Sequence, residues 1–292
     1  MYQFHRGQDL LKLCEQHNMS IAEIMLQAEA GELGWEAERV RSHIVASLEV
    51  MEESVQKGLN AEIKSVSGLI GGNGYRLYHR LMSGGLCGKT VLRAVSYALA
   101  VTEVNAAMGR IVAAPTAGAS GVIPGIILAI TEEKKTSRQQ AVDALLVAGA
   151  VGKIIAANAT LSGAEGGCQA EVGSASAMGA AAAVHLEGGS PPMVLNAAAM
   201  ALKGLLGLVC DPVAGLVEVP CSKRNVTGTV NALICAEMSL AGIQSVIPFD
   251  EIVDAMFRVG RLMSPDLRET ANGGCALTPT AQAITRNILS DI

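Results

Sequence analysis

Aromatic rings are scarce in this chain. Its 292 residues include one Trp, four Tyr and three Phe, only 3% of the total. So few rings leave little for stacking on bases, and 22 Lys and Arg do not outnumber 27 Asp and Glu. Both shortages argue against a nucleic-acid binder of the usual kind. Charge of either sign is thin at 17%, with a net charge of -5. Half of the residues are hydrophobic nonetheless, so the chain is not disordered and can bury a large core. Period-two alternation is rare, as are the β-branched and aromatic clusters that strands favour. The start, Met1-Tyr2-Gln3-Phe4-His5-Arg6, lacks the apolar stretch of a secretory signal. The expectation is a cytoplasmic protein. There, cysteines are buried, metal-bound or catalytic rather than paired as disulfides.

What the chain has in excess is small and aliphatic: Ala, Val, Ile, Leu, Met, and 32 glycines. Ile111 to Ile130 is a run of twenty uncharged residues, long enough to span a bilayer. Pro115, Pro124 and a polar centre break it, so a buried core and no membrane is the expectation. Ser20 and Glu23 form a capping-box pattern that opens a helix, with Gly31 as its expected stop. Val40, Ile44, Leu48, Met51 and Val55 repeat at helical steps and predict an amphipathic helix ending at Gly58. Residues 58–90 read as loops around a short helix near Tyr75–Met82. Later helix starts are expected at Thr136 with Gln139, Ser190 before Pro191, Asp250 before Glu251, and Thr278 before Pro279. The fold class is mainly α. Stretches such as Met178–Val184 suit close helix–helix approach. A helical segment over 1–60 and a catalytic domain over 61–292 are the expected division.

Ser83-Gly84-Gly85-Leu86-Cys87-Gly88-Lys89-Thr90 ends as a phosphate-binding loop ends. Its first position is Ser rather than Gly, and the residues before it have helical spacing where such a loop follows a strand. The segment reads as a glycine-rich turn before a helix. The seven cysteines then sort by context. Cys14 and Cys235 lie in helical runs and read as core, and Cys87 lies in the glycine turn. Cys168, Cys210, Cys221 and Cys275 sit in segments punctuated by Gly or Pro, where turns can present ligands. Ten residues separate Cys210 from Cys221, and Cys168 lies 42 positions before Cys210. This is not the short spacing of zinc fingers or ferredoxins, so spacing leaves structural and metal-binding roles both open.

The words around these cysteines are more specific. They include Ser65-Val66-Ser67-Gly68-Leu69-Ile70-Gly71-Gly72 and Ala114-Pro115-Thr116-Ala117-Gly118-Ala119-Ser120-Gly121. They continue with Asn158-Ala159-Thr160-Leu161-Ser162-Gly163-Ala164-Glu165-Gly166-Gly167-Cys168-Gln169. The last is Cys210-Asp211-Pro212 through Val219-Pro220-Cys221-Ser222-Lys223-Arg224-Asn225. From about residue 60 onward the chain resembles the α subunit of the bacterial iron–sulfur L-serine dehydratases (L-serine ammonia-lyases).

The resemblance implies a lyase that turns L-serine into pyruvate and ammonia. It implies a [4Fe-4S] cluster on Cys168, Cys210 and Cys221, with one iron open as a Lewis acid. It also implies a separate β subunit, because the Ser-Ser-His-Thr type motif of the β part is absent here. Fused relatives can end in a further cysteine ligand, whereas this sequence reads Ser290-Asp291-Ile292 there. The role of Cys275 stays open between a resting ligand and a turn residue. Candidate substrate holders are Ser65, Ser67, Thr116, Ser120 and Asn158, with Lys223 and Arg224 as partners for a carboxylate or an anionic cluster. Each of these has an ordinary alternative as a cap, turn or surface residue. No base is identified; His79 and His185 are available. The same chemistry on L-cysteine or L-threonine, or a non-catalytic redox-sensing role, are the competing functions.

Overall fold

The computed structural model describes residues 2–290; Met1, Asp291 and Ile292 lie outside the described residues. Thirteen α-helices account for nearly all of the regular structure, and no strand occurs among the described residues. They are α1 Gly7–His17, α2 Ile21–Leu33, α3 Ala37–Gly58, α4 Asn73–Met82 and α5 Lys89–Ala106. Then come α6 Val122–Lys134, α7 Arg138–Asn158, α8 Gly163–Gly166, α9 Ser174–Leu186 and α10 Pro191–Gly204. The last three are α11 Cys221–Leu240, α12 Phe249–Leu262 and α13 Pro279–Ser290. The mainly α expectation holds.

Helix α9 is the axis of the bundle. Its sequence, SASAMGAAAAVHL, is buried on every side except at His185. A helix that is apolar all round must be enclosed, and α6, α7, α10 and α11 enclose it. Thin Ala and Ser side chains let four neighbours approach one short helix. One apolar core runs from Phe4 through Leu48, Ile126 and Ile154 to Met256. It joins side chains of the first 60 residues with those of the later helices. Helix α7 is long and apolar enough to cross a bilayer, yet 67% of its most apolar stretch is buried among its neighbours. The run Ile111–Ile130 is not one helix. It is irregular to Thr116, turns through Ala117–Ala119 and becomes helical at Val122.

Several element boundaries differ from the expected ones. Helix α2 passes through Gly31 and stops at Gly34, whose φ of 64° supplies the left-handed cap. The box opening α7 is Ser137 with Gln140, one residue beyond Thr136 and Gln139. Helix α12 opens at Phe249 behind Pro248. Asp250 instead accepts from the amides of Gly7 (2.6 Å) and Gln8 (3.1 Å), and so caps α1 from across the molecule. Segment 83–90 follows helix α4 rather than a strand, which removes the context of a phosphate-binding loop.

Helices α3 and α5 meet at a glycine. A Cβ placed on Gly58 would lie 2.1 Å from the backbone oxygen of Ala100. Backbone cannot turn aside as a side chain can. Gly58→Ala is therefore expected to cost about 1–3 kcal/mol by overpacking. In a thermal melt this reads as a drop of roughly 2–4 °C per kcal/mol, with helical content unchanged below the transition. An unshifted melt would mean that the two helices are not in backbone contact.

Candidate functional site

Three loops that leave the helical core converge at one end of α9 and α11. The first carries Cys168 between α8 and a wide turn, Gln169–Gly173, that leads into α9. Gly167, with φ 74°, makes the sharp entry to Cys168. Gln169 fastens this loop. Its amide nitrogen donates to Met256 O (3.0 Å), and its Oε1 accepts from Gly207 N (2.9 Å). The second loop runs from Cys210 to Cys221, which is the first residue of α11. The third is 265–277. It docks on Cys210 through Cys210 N to Leu267 O (2.8 Å) and Glu269 N to Cys210 O (2.7 Å).

The three thiols act on one another. Cys168 and Cys210 are buried and Cys221 is partly so. Burial, the largest cause, pushes the thiols of Cys168 and Cys221 up to about 12, and that of Cys210 higher still. Charge on Cys168 raises Cys210, Cys210 raises Cys221, and Cys221 raises Cys168, so each pair is close enough to couple. Glu171 raises all three, and the Arg224 guanidinium opposes it at all three. Among the described residues, no three such groups converge tightly enough for a single metal ion.

Cys275 stands at the rim of this group. It is exposed, and its amide donates to Asp211 Oδ2 at 2.6 Å. Gly274 permits that contact. Its φ is 55°, and a Cβ there would fall 2.1 Å from the same oxygen. The neighbouring Asp211 carboxylate, more than burial, raises the Cys275 thiol above its ordinary value. Asp211 itself is 2% exposed and pairs through Oδ1 with Arg224 Nη1 at 2.6 Å. Arg224 Nη1 also donates to Val209 O (2.7 Å). Lys223, the adjacent residue on α11, faces solvent beside Asn73, Arg76 and Arg80.

The other sequence candidates fall in distinct places. Thr116 is in the group: its hydroxyl donates to Glu171 Oε1 at 2.7 Å. Ser67 donates to Glu218 Oε2 at 2.6 Å, tying segment 65–70 to the Cys210–Cys221 loop. Ser65 accepts from Ile70 N (3.2 Å) and Ser120 donates to Ala117 O (2.8 Å), each closing its own turn. The Asn158 amide donates to His5 O (2.6 Å) and Ile154 O (2.8 Å), which ties the end of α7 to the N-terminal segment. His79 is exposed on α4 with its ring 4.2 Å from that of Tyr75. His185 lies at the far end of α9, about 16 Å of helix beyond Ser174 at 1.5 Å per residue. It lines a 710 Å³ cleft with Cys14 and Glu15, and burial lowers its basicity. That cleft contains none of the three coupled cysteines. A 620 Å³ cleft lined by Glu165, Gly166, Arg261 and Arg268 opens beside the site loops instead.

Sequence reasoning passed over five polar residues that hold this region. Glu171, Asp211, Glu218 and Glu269 are carboxylates. Asn225 bridges α11 to the loop before α6, donating to Gly118 O (2.7 Å) and Cys221 O (3.0 Å) and accepting from Gly121 N (3.1 Å). The signal for Glu171 was its company: a carboxylate three residues after Cys168 in an Ala- and Gly-rich stretch that had to be buried.

Comparison with known proteins bears directly on this arrangement. Residues 16–276 match the family model described as the serine dehydratase alpha chain. The chain is 48% identical over 286 residues to a probable L-serine dehydratase alpha chain of Bacillus subtilis, covering 98% of this chain and 95% of that one. It is 41% identical to the L-serine dehydratase alpha chain of Peptoniphilus asaccharolyticus, covering 98% of each. L-serine dehydratase TdcG of Escherichia coli is 35% identical over 94% of this chain, which spans only 62% of that longer protein. This chain belongs to the serine dehydratase alpha-chain family.

Proposed function

We propose that this chain is the α subunit of an L-serine ammonia-lyase, a lyase that forms pyruvate and ammonia. The observation that carries the proposal is that Cys168, Cys210 and Cys221, two buried and one partly buried, lie on loops that meet at one end of α9 and α11 in a chain of this family. Three soft donors drawn from separate loops fit a [4Fe-4S] cluster, which takes each thiolate on a different iron. Such ligands stand further apart than those of one ion. High thiol pKa values favour the protonated form in the free protein, and bound iron would hold the thiolates instead. When bound, a cluster with three protein ligands supplies one open iron as a Lewis acid for a hydroxyl leaving group.

The chain's own residues supply the setting. Arg224 places positive charge beside all three thiols and is held there by Asp211. Ser67 and Thr116 bring hydroxyls to the loops around the group, each already oriented by a carboxylate. Lys223 stays in water one residue away, available to an anionic substrate or to a partner. A separate β chain is part of the proposal. The relatives of Bacillus subtilis and Peptoniphilus asaccharolyticus that this chain covers to 95% and 98% are named as alpha chains, which supports a β partner. Seven free thiols suit a reducing cytoplasm.

The test is anaerobic purification with and without the β chain, followed by iron and sulfide analysis and a pyruvate assay. The expected result is cluster-bound protein that turns over L-serine faster than L-cysteine or L-threonine and loses activity in air. Failure to take up iron and sulfide under strict anaerobic reconstitution would sink the cluster. Preference for L-cysteine or L-threonine would move the substrate and keep the chemistry. A cluster without any turnover would favour redox sensing.

A further inference from the structure

Helix α4 presents a cationic face with nothing to balance it. Asn73, Arg76, Leu77 and Arg80 recur at helical steps and line one side of a 390 Å³ cleft. Lys223, near the start of α11, lines the other side, and Leu77, Leu99 and Val226 give the cleft an apolar lining. Helix α4 has no Asp or Glu. None of Arg76, Arg80 and Lys223 forms an ion pair among the described residues. Glu103, a carboxylate bonded to α4, is buried and caps the start of that helix instead. Its Oε1 accepts from Asn73 N (2.9 Å) and Nδ2 (2.6 Å), and its Oε2 accepts from Gly74 N (3.2 Å). Three unpaired cations thus converge on one cleft in a chain whose net charge is -5. Arg76 and Arg80, four residues apart, repel each other unless an anion joins them.

The cleft is continuous with the cysteine site. Arg76 donates through Nη2 to Gly71 O (2.6 Å) and through Nε to Gly72 O (3.1 Å), which ties it to segment 65–72. Ser67 and Glu218 tie that segment in turn to the Cys210–Cys221 loop. Lys223 lies two residues beyond Cys221 on α11. Val66, on the same segment, is 75% exposed. Its amide donates to Ala106 O (2.9 Å), two residues before Met108, which is 83% exposed. Apolar side chains left in water beside prearranged arginines are the composition of a protein interface. A small anion would satisfy the cations and leave the apolar lining wet. We infer that this cleft is the docking site for an acidic segment of the β chain, which seats carboxylates on Arg76, Arg80 and Lys223. This rests on the two-subunit reading above. Arg76 and Arg80 stand about 6 Å apart along α4, so the segment carries acidic side chains at a similar spacing, with apolar ones between them. Seated there, the β chain meets both segment 65–72 and the start of α11, and so reaches the edge of the cysteine site.

The test measures the affinity of the cluster-loaded chain for the β chain by anaerobic calorimetry, at low and high salt. Wild type is compared with Arg80→Glu, Lys223→Glu and the control Lys12→Glu. Lys12 is an exposed cation on α1, outside the cleft. The Arg80 guanidinium donates to Ser83 Oγ (3.1 Å) at the surface, so its reversal spares the core. Wild type is expected to bind the β chain more weakly as salt rises. Each cleft reversal should weaken binding about tenfold or more and flatten the salt dependence, whereas Lys12→Glu should match wild type. Arg80→Glu should keep wild-type melting and cluster content, and its kcat should return at saturating β chain. A zero-length carbodiimide cross-link should join Lys223 to an Asp or Glu of the β chain. Unchanged affinity in both reversals would overturn the inference. So would a cross-link from Lys223 to a second copy of this chain, which would make the cleft a homodimer contact. Saturable binding of inorganic phosphate that leaves β affinity unmoved would make it a small-anion site and overturn the inference too. Wild type that fails to bind the β chain at any salt would overturn the two-subunit reading itself, whatever the variants do.

Discussion

Cys210→Ser is expected to leave a folded protein without cluster and without turnover. The substitution is nearly isosteric, so the buried site loses little packing and the melt should move by less than about 1.5 kcal/mol. What it removes is a soft donor. A serine hydroxyl ionises far less readily than a thiol, and a hard oxygen suits iron–sulfur ligation poorly. Iron and sulfide should fall to background after anaerobic reconstitution, and pyruvate formation with them. Cys235→Ser is the matched control. Cys235 is equally buried but lies on α11 with Asn231 Oδ1 3.9 Å from its sulfur. A hydroxyl there can donate to the same oxygen, and cluster content should be that of wild type. Equal losses in both variants would mean that burial, not ligation, governs the cysteines, and the metal assignment would fail.

The contrast between these cysteines also marks what a sequence alone can tell. Amphipathic spacing from Val40 to Val55 and the Pro signals at Pro191 and Pro279 are local, and those helices begin or run where expected. The misplaced starts are of two kinds. Thr136 with Gln139 and Ser137 with Gln140 are overlapping copies of one pattern, and local chemistry cannot choose between them. Asp250 is a cap residue in a cap context, yet its carboxylate serves α1, 243 positions away from Gly7. Long-range use of a short-range signal is invisible in a window of ten residues.

The site divides along the same line. Family words mark Cys168, Cys210 and Cys221. Lys223 and Arg224 look interchangeable in sequence, but one residue on a helix is a 100° rotation, so one turns inward to Asp211 and the other outward to water. His185 looks available until α9 carries it to the far end of the bundle. Glu171 gains its meaning from Thr116, 55 positions earlier, and from Glu269, nearly a hundred later.

Arg224→Met should produce the largest loss of stability at this site. The guanidinium is the only cation paired with Asp211 among the described residues, and Asp211 is almost wholly buried. Removing one partner of a buried pair strands the other, at a cost of about 3–5 kcal/mol. At roughly 2–4 °C per kcal/mol, the melt should fall on the order of 10 °C. Cluster uptake should weaken as well, because Arg224 is the group that eases ionisation of all three thiols. Arg224→Lys keeps the charge on a shorter, unforked side chain and should recover only part of the loss. The decisive comparison is the double variant Asp211→Asn with Arg224→Met. It leaves no stranded charge, so it should be more stable than Arg224→Met alone despite carrying one change more. A double variant as unstable as the sum of the two single losses would show no coupling between them. The damage would then come from the lost Val209 carbonyl contact and packing, and Asp211 would not be what holds Arg224 against the thiols.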